Sequence, residues 1–249
     1  IQEMIPACEE RFVRFEFRHR PNKGLSSTLN ESIKWCKGAY FFALASDDIV
    51  YPTIISKEVA LLGKRLDCGM CHTHAESVYI KPNTKKTIIE SHEFTFQQLI
   101  IKNRVYAPTV MIRMSVVREL GGFDESLYME DWDMWLRILD AGYKICFINE
   151  ILAFYRQHEN NSYKNYNRME EASDLILDKW KDNPFYEEAK LSEYLHRFNH
   201  YSEVDKVRAL KYLPYALANI FLRASLVGIA KLITPKVMYP LIRRSRYLK

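Results

Sequence analysis

The feature that most constrains this chain is the run Tyr40-Phe41-Phe42-Ala43-Leu44-Ala45, wholly apolar, which stops abruptly on Ser46-Asp47-Asp48. A run this short with no polar position does not read as an amphipathic surface helix. It fits a strand buried on both faces, and such strands belong to sheets covered by helices on each side. Upstream, Ser26 to Lys37 carries Leu29, Ile33 and Cys36 on one helical face and stops at Gly38. Before that helix, Val13, Phe15 and Phe17 alternate with Arg14, Glu16 and Arg18, the period of a half-buried strand, and Pro21-Asn22-Lys23-Gly24 reads as a turn. The order is therefore strand, helix, strand, with two carboxylates at the C-terminal end of the second strand. Open α/β sheets bind their ligands at that edge.

The rest of the chain continues the alternation. Helices are expected over Tyr51 to Leu66 and Phe94 to Lys102, and strands over Gly69 to Ile80 and Thr109 to Arg113, with a turn at Pro82-Asn83-Thr84. Ser115 is positioned to cap a helix that ends at Gly121-Gly122. Trp132, Trp135, Leu136 and Leu139 then fall at i, i+3, i+4 and i+7, a single apolar face that spacing alone assigns to the core, and Gly142 ends it. Lys144 to Phe147 is a final strand, and from about Tyr163 the pattern is helical only. The reading is an α/β domain over residues 1–160, a mostly parallel sheet flanked by helices, followed by a helical extension over 161–249. With 48% hydrophobic and 27% charged residues the chain is neither disordered nor fibrous.

The five cysteines, Cys8, Cys36, Cys68, Cys71 and Cys146, are odd in number and scattered through apolar segments. That distribution reads as reduced thiols in a cytoplasmic protein. Cys68-Gly-Met-Cys71-His72-Thr-His74 lacks a second ligand pair, which argues against zinc. The net charge of +5 is unevenly placed, because residues 205–249 hold ten Lys and Arg against the single acid Asp205. Pro214 to Ile233 is apolar apart from Arg223 and Lys231, and Arg243-Arg244-Ser245-Arg246 follows. The expected partner of this tail is an anionic membrane surface, with 214–233 lying in the plane of the leaflet and the protein peripheral on the inner face of the cell membrane. Nucleic acid is a poor fit, since the tail lacks the polar and aromatic interleaving such sites use.

Three groups of residues, in this order and spacing, resemble the inverting family-2 glycosyltransferases of the GT-A fold. The first is Asn22-Lys23-Gly24, a helix containing Asn30, Gly38, and a strand into Ser46-Asp47-Asp48. The second is Gly121-Gly122-Phe123-Asp124-Glu125 followed by Glu130-Asp131-Trp132-Asp133-Met134-Trp135-Leu136-Arg137. The third is Tyr155-Arg156, His158 and Ser162. The resemblance implies a GT-A-like fold and transfer of a sugar from a nucleotide diphosphate sugar to a glycan or lipid-linked acceptor in bacterial surface-glycan synthesis. Relative to the family the chain begins about one βαβ step late, so the first nucleotide-binding segment is expected to be missing. Ala45 stands where the family carries a further Asp, which removes a contact to the donor ribose or metal shell. The alternative reading is accordingly a non-catalytic nucleotide- or glycan-binding domain that keeps the fold.

The residue chemistry suits the implied roles. Asp48, with His158 as a further ligand, is assigned to Mn²⁺ or Mg²⁺, for which carboxylate oxygens at a strand end are hard ligands. Asp47, Lys23 and Arg156 are assigned to the donor, Asp47 at the sugar or ribose and the two cations at the diphosphate. Asp131 is the candidate base for the acceptor hydroxyl, with Glu130 as second choice. A helix N-terminus favours a carboxylate there, while burial against aromatics raises its pKa. Asp47 and Asp48 also suit a helix N-cap, and Glu130, Asp131 and Asp133 also suit an acid-rich first helical turn.

Overall fold

The computed structural model describes residues 2–79, 87–89, 91–159 and 161–235. Its sheet is organised around β3 (Cys68–Tyr79), which pairs in parallel with the long strand β6 (Lys144–Gln157) along nearly its whole length. On the other side β3 pairs antiparallel with β5 (Met111–Arg113), and β5 with β1 (Tyr40–Phe42). Beyond β6 lies β2 (Ile49–Val50), antiparallel, and β4 (Thr87–Ile89) pairs with β3 off the main path, so the order is β1-β5-β3-β6-β2. The sheet is mixed. Among these pairings only β3–β6 is parallel, against the mostly parallel sheet expected, while the α/β class stands.

Helices cover the sheet. α2 (Leu25–Trp35), α4 (Phe96–Ile101), α5 (Met114–Glu119) and α6 (Glu130–Asp140) share the main core with β1, β3, β5 and β6 through Ile33, Phe41, Met70, Leu99, Ile112, Val116, Leu136 and Ile145. α3 (Ile54–Lys64) closes the opposite face over Cys68, Cys71, Met111 and Cys146. Arg113 stitches that layer together. Its Nη2 donates to the carbonyls of Leu62 (2.8 Å) and Arg65 (3.2 Å), and its Nε to that of Cys68 (3.2 Å), satisfying acceptors at the end of α3. As expected, Trp132 and Trp135 are core residues, and the Trp132 indole donates to the Leu99 carbonyl at 2.6 Å.

Several elements differ from the sequence reading, each for a physical reason. Residues 13–17 form no strand. The sheet ends at β1, whose described neighbour is β5, so the segment has no backbone partner and Val13 is fully exposed. After α1 (Ile5–Arg11), ion pairs hold this stretch instead, with Arg18 reaching Glu16 and Glu31, and Arg20 reaching Glu31 at 2.7 Å. Ser115 lies inside α5, which starts at Met114 without a side-chain cap. The stretches 144–147 and 151–155 fuse into one strand, with register shifts against β3 between Thr73 and Ala75 absorbing the irregularity. The cysteines are not all free thiols. Cys68 and Cys146 form a disulfide, their Cα atoms 5.8 Å apart, because the parallel pairing puts both beneath α3; Cys8, Cys36 and Cys71 are free. The Pro82–Thr84 turn lies outside the described residues.

The second half is helical: α7 (Tyr166–Asp178), α8 (Tyr186–Val204), α9 (Lys206–Ala209), α10 (Leu213–Ala218) and α11 (Arg223–Ile233). Ile176, Leu177 and Ala189 join the main core, while Leu195, Phe198, Tyr201, Ala209, Tyr212 and Ala216 form a second one. The segment 214–233 is not one helix lying free of the body. It breaks between α10 and α11, and α11 packs on α8 because Gly228 has no Cβ. A Cβ there would stand 2.4 Å from the Phe198 ring. Lys231, buried beside it, pairs with Glu203 at 2.9 Å. The basic residues from Lys236 onward lie outside the described residues.

Two features of this fold generate predictions. Asn30 on α2 latches the loop ahead of α6: its Oδ1 accepts from Phe123 N (2.8 Å), and its Nδ2 donates to Phe123 O (2.8 Å) and Glu125 Oε1 (2.9 Å). Gly122 has φ +83°, and a Cβ on it would meet Asn30 Oδ1 at 2.5 Å. Asn30→Ala should therefore lower unfolding stability by ~1–3 kcal/mol in urea titrations, because it strands buried backbone groups. Glu58 of α3 is fully buried, neither carboxylate oxygen has a hydrogen-bond partner, and burial pushes its pKa up to about 9. A carboxyl raised in the folded state favours folding at pH below its unfolded value, and that advantage is lost as pH rises toward the folded pKa. Glu58→Gln should gain stability over wild type by up to ~1.4 kcal/mol per pH unit between about pH 4.5 and 9, with no gain at lower pH, in denaturation series across that window.

Candidate active site

The site begins where β1 ends. Past Phe42 the chain turns tightly, Asp48 N donating to the Ala45 carbonyl at 3.1 Å, and re-enters the sheet as β2 on the far side of β6. The pairing Ile49↔Phe154 and Val50↔Ala153 sets Asp47 and Asp48 against the end of β6. There Asp48 Oδ1 accepts from Arg156 N at 2.9 Å, and Asp47 Oδ2 lies 2.8 Å from His158 Nε2. Four of the residues singled out in the sequence thus meet in space. The His158 hydrogen bond holds the Asp47 carboxyl below its usual range. Asp48 is more buried, and desolvation raises its pKa despite the bond from Arg156.

The second acidic group enters on α6. Glu130 is buried, and Asp131 accepts from Trp132 N at 2.6 Å and from Asn103 Nδ2 at 3.4 Å. Burial raises the pKa of both, and for Glu130 the neighbouring Asp131 adds to the rise. Two adjacent carboxyls in a desolvated position hold a proton more readily than either would alone. Asp48 and Glu130 line one cleft of about 770 Å³, walled by Arg18, Arg20, Trp35, Phe41 and Ala45 among others. Residues 82 positions apart in the chain therefore face a common space. Asp131 sits beside Glu130 without itself lining the cleft, and Lys23 is exposed on the turn next to the lining residue Asn22.

Not every acid of the motif belongs to this space. Asp133 is fully buried and ion-paired, with Arg137 Nε at 2.7 Å and Lys179 Nζ at 2.5 Å. Sequence reasoning missed the residues that hold the site in place. Asn161 accepts from His158 N at 2.5 Å and donates to the Arg156 carbonyl at 3.1 Å, fixing the loop that carries both. Asn103 steadies Asp131, and Tyr106 packs edge-on against Tyr155 with centroids 5.6 Å apart. Isolated Asn and Tyr carry no periodic or motif signal that could have pointed to them. A second, polar hollow of about 560 Å³ lies on the far side of His158, lined by Tyr128, Glu159, Asn165 and Tyr166 among others.

Among the described residues no group of three or more His, Cys, Asp or Glu converges as a cage for a metal ion. The donor set of Asp48 and the Asp47–His158 pair fits a hard divalent cation of one kind, that held by one or two carboxylates with phosphate oxygens completing its shell.

Comparison with known proteins agrees with this geometry. The family model "Glycosyl transferase family group 2" matches residues 69–171. An uncharacterized glycosyltransferase of Rickettsia typhi is 30% identical over 152 residues, 57% of this chain and 46% of the relative. The O-antigen biosynthesis glycosyltransferase WbnJ of Escherichia coli is 28% identical over 143 residues, 56% of each chain. The chain thus spans about half the length of these curated relatives. In three dimensions it is similar to S. aureus TarS, solved in complex with UDP-GlcNAc, at a TM-score of 0.58 and 13% identity, covering 96% of this chain and 79% of that one. The segment that matches this family model runs through Glu130, Asp131 and His158, Asp48 and Glu130 line one cleft, and the fold is similar to that of TarS.

Proposed function

We propose that this chain transfers one sugar from a nucleotide diphosphate sugar to a hydroxyl of a glycan or lipid-linked acceptor in cell-surface polysaccharide synthesis, with inversion at the anomeric carbon and a divalent metal. The observation that carries the reading is the shared cleft of Asp48 and Glu130. WbnJ, a relative named for O-antigen biosynthesis, and TarS, which binds UDP-GlcNAc, support the acceptor and donor classes. Residues 1–160 act as the transfer domain and 161–249 as its helical extension, on the cytoplasmic side of the membrane.

In this reading Asp131, with Glu130 beside it, takes the proton of the acceptor hydroxyl as its oxygen bonds to the anomeric carbon. The bond from that carbon to the diphosphate breaks with its electron pair leaving on the nucleoside diphosphate. A base positioned this way contributes ~10²–10⁴-fold in rate. Asp48 and His158 are the residues that would hold Mn²⁺ or Mg²⁺, whose chemistry is to neutralise charge on the diphosphate. Asp47 contacts the sugar or ribose, and Arg156 and Lys23 face the phosphates. The raised pKa values of Glu130 and Asp131 place the acid limb of the pH–rate profile above the ordinary carboxylate range, since the base works only when ionised.

The experiment is a transfer assay beside thermal shifts with nucleotide sugars and Mn²⁺. Asp131→Asn should lose ~10²–10⁴-fold in kcat while donor binding stays unchanged. Asp48→Asn should remove the metal-dependent stabilisation by donor. If Asp131→Asn transfers at the wild-type rate and Glu130→Gln does not, the base is Glu130. If wild type shows no metal-dependent donor turnover, the chain is a binding domain. Asn103→Ala should move the acid limb to higher pH, because the Asn103 amide favours the ionised form of Asp131.

A further inference from the structure

The helical extension exposes more apolar surface than its packing uses. In α11, Ser225, Gly228 and Lys231 face inward against α8. Leu222, Leu226 and Ile233, spaced i, i+4 and i+11 along one face, are 46%, 52% and 76% exposed. The end of α10 adds Leu217 and the turn ahead of α11 adds Ile220, and Phe221 is 97% exposed, a phenyl ring with almost no protein contact. Single exposed apolar residues need no explanation, but six of them within 17 residues form a patch, and such patches mark interaction sites.

The charge around the patch selects the partner. No acid occurs in the sequence after Asp205. Arg223, exposed at the start of the apolar face, makes no ion pair or hydrogen bond among the described residues, unlike Arg208 and Lys231, which are bonded to Glu170 and Glu203. Beyond Ile233 the sequence adds Lys236, Arg243, Arg244, Arg246 and Lys249, interleaved with Val, Met, Tyr, Leu and Ile. Exposed apolar side chains beside the unpaired Arg223, in a segment whose sequence holds no acid, are complementary to an anionic lipid surface, where the ring buries in the acyl boundary and the cation meets the headgroups. No described helix is long and apolar enough to cross a membrane, so the contact is with one leaflet.

We propose that the corner formed by residues 217–226, led by Phe221, Leu222 and Arg223, docks the chain on anionic membrane. This goes beyond the transfer reading and is tested without it. Wild type and Phe221→Ser/Leu222→Ser are compared by co-sedimentation with phosphatidylcholine vesicles, plain or with phosphatidylglycerol at roughly a third of the lipid. Wild type should bind the anionic vesicles, weaken as salt is raised, and leave the plain ones largely unbound. The double variant should bind at least about 10-fold more weakly while its melting temperature and secondary structure match wild type, since both residues lie at the surface. Arg223→Glu should weaken binding in the same direction.

Three outcomes overturn the proposal. Wild type fails to bind anionic vesicles; or the double variant, which keeps all residues after Ile233, binds as well as wild type, which assigns binding to the basic tail alone. The third is a wild-type dimer in light scattering that the double variant converts to monomer, which makes the patch an interface between copies. None of these results bears on whether Asp131 serves as base, so the two readings fail separately.

Discussion

The hydrogen bond from Arg156 N to Asp48 joins two points 108 residues apart, and the candidate site depends on it. It exists because β6 runs on for 14 residues, pairing with β3 along one edge and receiving β2 on the other. Register does the positioning. Once Ile49 stands opposite Phe154, the carboxylates before β2 fall beside the residues after Phe154, and a slip of one residue would turn both sets to the other face. The same strand carries Cys146 to the disulfide with Cys68 and Ile145 into the main core. One strand therefore anchors the sheet and aims the site.

Around that frame the motif residues divide by the work they do. Asn30 and Gly122 fasten α2 to the loop entering α6, so the start of that helix is fixed before its acids are considered. Asp133 serves the same end, buried between Arg137 and Lys179. Removing one partner of such a buried pair leaves a charge uncompensated, which makes these residues costly to change although they touch no substrate. Glu130 is left to line the cleft with Asp131 beside it, in a desolvated position that raises the pKa of both.

The extension is fastened by buried charge as well as by apolar packing. Arg197 of α8, nearly buried, donates to Asp174 at 2.9 Å, to Ser173 at 2.7 Å and to the Glu170 carbonyl at 3.1 Å. Glu170 in turn accepts from Arg208 and Tyr212 at its carboxylate, so this one residue of α7 is tied to α8, α9 and the turn after α9. These directional contacts specify how the helices sit, where apolar packing alone would tolerate sliding.

What the sequence determined by itself was the set of strongly periodic elements and the chemistry of its acids. The helix of Trp132 and Leu136 and the glycine stops could be read directly, because burial imposes a period on neighbouring residues, whereas of the apolar run at 40–45 only Tyr40–Phe42 became strand and Leu44 is exposed. The tertiary structure decided what depends on partners. Residues 13–17 have the pattern of a strand but no backbone to pair with, the sheet is mixed because strand direction is set by its neighbours, and α11 packs on α8 because Gly228 admits Phe198. Asn103 and Asn161 were illegible for the same reason, since a lone amide acquires a role only from the groups that folding brings within hydrogen-bond reach. Period is a local property of the chain, whereas pairing, register and contact are properties of two segments at once.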